Sequence, residues 1–113
     1  MQSTFDPVGV ATDWLDAYRA KNVGAIVALY ADDALIECRC DGHKTIAGGA
    51  ALTAYWETRC AEKPALGLED LQLLDGAVIV SYLTEDGVVQ ASLHFDENGK
   101  IKFCRCRPVD AKR

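Results

Sequence analysis

The chain changes its hydrophobic period abruptly at Ala31-Asp32-Asp33, and few folds accommodate what lies on either side. Before the change, Val23, Ile26, Val27 and Tyr30 recur at i, i+3, i+4 and i+7, an apolar helical stripe behind a capping Asn22. After it, Ala34, Ile36, Cys38 and Cys40 alternate with Leu35, Glu37 and Arg39, the period of a two-faced strand. Asp41-Gly42 then supplies turn chemistry. With almost no linker between them, the helix must fold back onto the strand it feeds, which builds the closed end of a cup.

The flanking segments fit that plan. A first helix starts at Asp6-Pro7, where aspartate can cap and proline suits the first helical position. Ala11, Trp14, Leu15 and Tyr18 form its apolar face, and Arg19 and Lys21 complement the negative end of its dipole. A third helix begins around Gly49-Ala50, places Leu52, Tyr55, Trp56 and Arg59 on one stripe, and ends by Pro64. The rest reads as strands. Leu66 and Leu68 share one parity and Leu71 and Leu73 the other, so a bulge or bend is expected near Glu69-Asp70. Ala77 to Thr84 is apolar on both faces, and Glu85-Asp86-Gly87 signals a hairpin. Val89, Ala91, Leu93 and Phe95 alternate with Gln90, Ser92 and His94, Asp96-Glu97-Asn98-Gly99 makes a second turn, and Lys100 to Arg107 is the last strand. The pattern predicts an α+β fold of three N-terminal helices packed on a curved, mostly antiparallel sheet.

Tyr30-Ala31-Asp32-Asp33-Ala34, following the Trp14…Tyr18 helix, resembles the nuclear transport factor 2-like superfamily, in particular its SnoaL-like and ketosteroid-isomerase-like branches. The resemblance continues through Gly48-Gly49, Tyr55-Trp56 and Phe95 to Ile101, and so covers nearly the whole chain. It implies a cone-shaped cystatin-like fold with a ligand cavity between helices and sheet, and dimerisation by the sheet. It leaves function open, because that fold hosts enzymes, binding proteins and adaptors. The isomerase pattern implies a proton-moving aspartate, an oxyanion tyrosine and a protonated carboxylic acid. This chain has Cys38, Trp14 and Ala91 at those places. Steroid isomerisation by that mechanism is therefore rejected, and the catalytic residues stay unassigned.

Composition narrows the remaining classes. A length of 113 residues predicts a single domain over 1–113, and 50% hydrophobic residues argue against disorder. No apolar run approaches the roughly 20 residues of a membrane helix. A net charge of -5 argues against a nucleic-acid surface. Met1 to Asp6 lacks the basic and apolar segments of a secretory signal, so a cytoplasmic address is expected, with its five cysteines reduced. No glycine-rich phosphate loop or nucleotide fingerprint is present, and no cofactor is expected.

Cys-Arg-Cys occurs at 38–40 and again at 104–106. Four converging thiolates would make a zinc site, but i and i+2 on a strand stand about 7 Å apart. The reading is burial as small hydrophobes without a metal, with a reversible disulfide between the pairs as the alternative. Asp32 and Asp33 read as turn residues, Glu37 as an outer-face carboxylate, His43 as a solvated hairpin tip, and His94 as an outer-face residue; neither histidine has an obvious acid partner in sequence.

The aromatic set carries the functional expectation. Trp14, Tyr18, Tyr30, Tyr55, Trp56 and Tyr82 take inward parities, and their polar tips are many for a closed core. A partly hollow cup would relieve that demand. The expected ligand pocket has an aromatic wall of Trp14, Tyr18, Tyr55 and Trp56, facing Cys38, Val80, Tyr82, Ala91 and Cys104 on the sheet. The leading reading is a protein that binds a small apolar ligand, at most weakly anionic, with Arg59 as the one candidate cation. The alternatives are an enzyme of the polyketide-cyclase or isomerase type using Tyr18, Tyr82 or Cys38, and an accessory module that binds a partner chain. A homodimer is expected through the outer sheet face, from Ile79, Leu83, Ile101 and Phe103.

Overall fold

A computed structural model describes residues 6–39 and 42–109. Helix α1 (Pro7–Arg19) opens on Asp6, whose carboxylate accepts from the Val8 N–H, and it buries Ala11, Trp14, Leu15 and Tyr18 as the periodicity predicts. Helix α2 (Val23–Ala28) has six residues, too few to persist without tertiary support. The Asn22 side chain accepts from the Ala25 N–H at 3.2 Å, a cap worth about 1 kcal/mol, and Ile26 is fully buried.

Strand β1 (Tyr30–Cys38) starts four residues before the expected Ala34. Leu29 closes the helix and Tyr30 pairs at once with Ile101; the register slips between Tyr30 and Leu35, leaving Asp32 and Asp33 exposed on the irregular stretch. Cys40 and Asp41, half of the expected turn, lie outside the described residues. Strand β2 (Lys44–Ala47) returns antiparallel to β1. Gly48, at φ +90°, then redirects the chain into α3 (Gly49–Glu62), a conformation a side chain resists. Among the described residues two helices precede the sheet: α3 follows the first two strands, which corrects the block of three N-terminal helices.

Four more strands complete one sheet: β3 (Gly67–Leu74), β4 (Ala77–Thr84), β5 (Gly87–Phe95) and β6 (Ile101–Pro108), in the order β2-β1-β6-β5-β4-β3. The sheet is curved and does not close on itself. Every neighbouring pair is antiparallel except β1 with β6, which is parallel. The bulge expected at Glu69-Asp70 is present, as a register shift between Leu68 and Asp70. The 96–99 turn is tied by Asp96, whose carboxylate accepts from the Asn98 and Lys100 N–H groups at 2.9 and 3.0 Å.

The helices pack on the face that carries Val78, Val80 and Tyr82 of β4 and Val89, Ala91 and Leu93 of β5, all buried. Ile79, Leu83 and Phe103, on the other face, are half-buried. Ile101 does not join them: Phe95 pairs with Ile101 but His94 with Phe103, so Lys102 is an extra residue and Ile101 turns fully inward. The alternation expected across this strand is corrected by that bulge.

Candidate ligand cleft

The stripe that buries Leu52, Trp56 and Arg59 against the sheet leaves the next stripe of α3 facing the β1–β2 hairpin. Ala51, Ala54, Tyr55 and Thr58 form one wall there, and Cys38, Lys44 and Ile46 the other. Arg59, Glu62 and Lys63 complete the lining. The space between is a cleft of about 310 Å³, at the small end of ligand sites.

The buried side of the lining is organised by Arg59, which is 5% exposed. Nε donates to the Tyr18 hydroxyl at 3.0 Å and Nη2 to the Tyr82 hydroxyl at 3.2 Å. The Tyr18 hydroxyl in turn donates to the Lys63 carbonyl. Burial raises the pKa of Tyr18 and Tyr82, outweighing the opposing pull of the Arg59 charge. Tyr55 stands in the wall with its hydroxyl 3.4 Å from Cys106 Sγ, and burial pushes its pKa far above the ordinary phenol value. All three phenols are therefore neutral near pH 7. They can orient a ligand by hydrogen bonds but supply no phenolate base.

Of the nine residues expected to line a pocket, the cleft contains Cys38 and Tyr55. The other seven lie in the buried core beside it. Trp14, Tyr18, Trp56 and Tyr82 meet edge to face, with ring centroids 5.0 to 5.8 Å apart. Val80 and Ala91, both 0% exposed, pair across β4 and β5, and Cys104 is equally enclosed. Each such ring pair contributes about 0.5–1.5 kcal/mol beyond its buried area, so this region holds the fold together. Lys44, Ile46, Ala51, Ala54, Thr58, Glu62 and Lys63 were not anticipated as lining residues. The signal was present in the helical spacing of Ala51, Tyr55, Thr58 and Glu62 beside the inward stripe.

Cys38 and Cys106 are in-register neighbours on parallel strands, and Cys38, Cys60, Cys104 and Cys106 are all buried. Among the described residues, no group of three or more His, Cys, Asp or Glu side chains is arranged to hold a metal, and no helix is long and apolar enough to cross a membrane. Glu37, on the opposite face from the cleft, gathers Arg105 Nε at 2.5 Å, His43 Nε2 at 2.9 Å and Arg39 at 3.7 Å. The acid partner that His43 lacks in sequence is thus supplied across the hairpin. Those hydrogen bonds, His43 first and then Arg105, lower the Glu37 pKa. His94 lies on the outer face against Phe103, and burial lowers its pKa.

No family model and no curated protein sequence matches the chain. Solved structures do match in fold. A SnoaL-like protein of unknown function from Burkholderia thailandensis superposes with a TM-score of 0.79 at 16% identity, over 91% of this chain and 94% of that one. A protein described as a candidate polyketide cyclase from Sinorhizobium meliloti gives 0.75 at 16% identity, over 91% and 100%. SalBIII, an epoxide hydrolase/cyclase-like enzyme in pyran ring formation of the polyether salinomycin, gives 0.73 at 19% identity, over 88% of each chain. The chain has the fold of SnoaL-like proteins, as its resemblance implied.

Proposed function

We propose that this chain binds a small, largely apolar molecule in the cleft between α3 and the β1–β2 hairpin. The observation that carries the reading is the composition of that cleft. Ile46, Ala51 and Ala54 offer apolar surface, and Tyr55, Thr58 and Arg59 add a few fixed polar groups, the usual build of a small-molecule site. Cys38 and Tyr55 are the sequence-derived residues assigned to ligand contact. Trp14, Tyr18, Trp56, Val80, Tyr82, Ala91 and Cys104 form the support that holds them. Native mass spectrometry of protein purified from its own host reads bound ligand and oligomeric state together. Ala54→Trp tests the location: Ala54 is exposed, so the new ring fills the cleft without overpacking the core. The variant should melt within about 2 °C of the parent and lose the ligand. Retained ligand would place binding elsewhere.

An enzyme of the cyclase type is the second reading, favoured by the names of two fold neighbours. Its chemistry would draw on the polar groups lining the cleft rather than on a phenolate, since Tyr18 and Tyr82 are protonated and Trp14 and Ala91 cannot titrate. The outer sheet face is proposed as a homodimer surface. Leu35 and Leu74 are exposed there beside the half-buried Ile79, Leu83 and Phe103.

A further inference from the structure

The strand register sorts the outer sheet face into rows that cross the strands. Arg107 of β6 pairs with Gln90 of β5, Gln90 with Ser81 of β4, and Ser81 with Asp70 of β3. Arg107 Nη2 donates to Gln90 Oε1 at 2.9 Å, and Gln90 Nε2 donates to Ser81 Oγ at 3.4 Å. The row is thus positive at one end, negative at the other and neutral between, over three strand spacings or roughly 14 Å. Arg107 and Asp70 are both exposed, and neither forms a salt bridge among the described residues. A second row on the same face runs through Phe103, His94, Ala77 and Leu74. Its two ends are apolar, with Phe103 half-buried and Leu74 48% exposed.

We infer that this face takes a second copy of the chain in one register, set by a two-fold axis that runs along the strands between β4 and β5; this rests on the homodimer proposed above and fixes how its sheets lie. Such an axis lays β6 over the partner's β3 and β5 over the partner's β4. Arg107 then meets the partner's Asp70, and by symmetry Asp70 meets the partner's Arg107, so one row supplies two ion pairs. The same operation sets Phe103 against the partner's Leu74 at both ends of the second row. A two-fold interface must be complementary to itself, and a row with opposite charges at its ends is so about its midpoint. Packed sheets stand about 10 Å apart, a gap that an arginine and an aspartate reaching towards each other can span. A two-fold running across the strands would lay β6 over the partner's β6, and Arg107 could not reach the partner's Asp70.

Charge reversal, read by sedimentation across micromolar concentrations, tests the register. Arg107→Asp and Asp70→Arg each bring like charges together twice in the dimer, and each should weaken it by at least about fivefold. Both changes in one chain should restore the parent affinity to within about twofold. Mixing the two single variants should do the same, because every such contact in the mixed dimer again joins opposite charges. A folding defect in either variant would not be rescued by mixing. Raising salt from about 20 to 300 mM should narrow all these differences. If the parent dimerises and Phe103→Glu makes it a monomer, but the single reversals change nothing or do not rescue each other, the axis is wrong while the sheet-face dimer stands. If the parent is a monomer, or its dimer survives Phe103→Glu, the dimer reading falls and the inference with it.

Discussion

Six aromatic side chains meet in the interior with polar tips, and the partner each tip finds sets what the core tolerates. Trp14 Nε1 donates to the Tyr30 hydroxyl at 3.1 Å, Arg59 serves Tyr18 and Tyr82, and Tyr55 reaches Cys106. Five of these tips need no hollow cup to hydrate them, because they pair with one another, with Arg59 or with Cys106. Trp56 differs: its indole N–H is buried with no hydrogen-bond partner among the described residues. The two tryptophans should therefore respond differently to the same change. Trp14→Phe leaves a buried tyrosine hydroxyl without its donor, whereas Trp56→Phe removes a group that was already unsatisfied. Trp14→Phe is expected to cost about 1–3 kcal/mol more than Trp56→Phe in urea unfolding at unchanged m-value. Equal costs would mean that ring volume alone decides.

At the scale of elements, Glu37 fastens three segments together: its own strand β1, the neighbouring β6 through Arg105, and the approach to β2 through His43. Its pKa is lowered in the folded protein, so the stability it adds is present above the ordinary carboxylate value of 4.5 and is lost as pH falls through the lower folded value. Glu37→Gln should therefore destabilise the protein at pH 7, and the difference from the parent should shrink as pH falls below the ordinary carboxylate value. Urea midpoints followed from pH 7 into the acid range check this. A difference that stays constant with pH would show that the Glu37 charge is not the source. This cluster was only half legible in sequence. Parity placed Glu37 on the outer face, but its partners come from residues 6 and 68 positions away. The same division runs through the fold. The caps at Asp6 and Asn22, the Leu68–Asp70 bulge and the turn at 96–99 are local and were readable. The Lys102 bulge, which sends Ile101 inward, follows from pairing with β5 and left no mark in the alternation. The residues around this cleft were only partly legible, because inward parity identifies what is buried, not where packing stops.

For the whole molecule, the proposed dimer makes the clearest claim. The outer face presents Phe103 with Arg105 stacked 5.4 Å from its ring centroid, beside Leu35 on the paired strand. Sedimentation at micromolar concentration should report twice the chain mass. Phe103→Glu should give a monomer of unchanged circular dichroism, since Phe103 lies outside the buried cluster. A parent protein that sediments as a monomer would remove the interface from consideration. The candidate cleft lies at the β1–β2 end, where Cys38 and Lys44 are Cα partners, so loss of the proposed dimer should leave any binding there measurable.

The parallel pairing of β1 with β6 also fixes when the protein can become whole during its manufacture. As the ribosome extends the chain, α1, α2 and the first two strands emerge early, but β1 stays bare along one edge until residues 101–108 have been made. The β3–β4–β5 meander, with its close partners in sequence, can assemble while it waits. A nascent chain stalled before residue 101 should therefore expose Ile36 and Cys38 to chaperones and proteases. The cleft beside Cys38 would be among the last features to take shape.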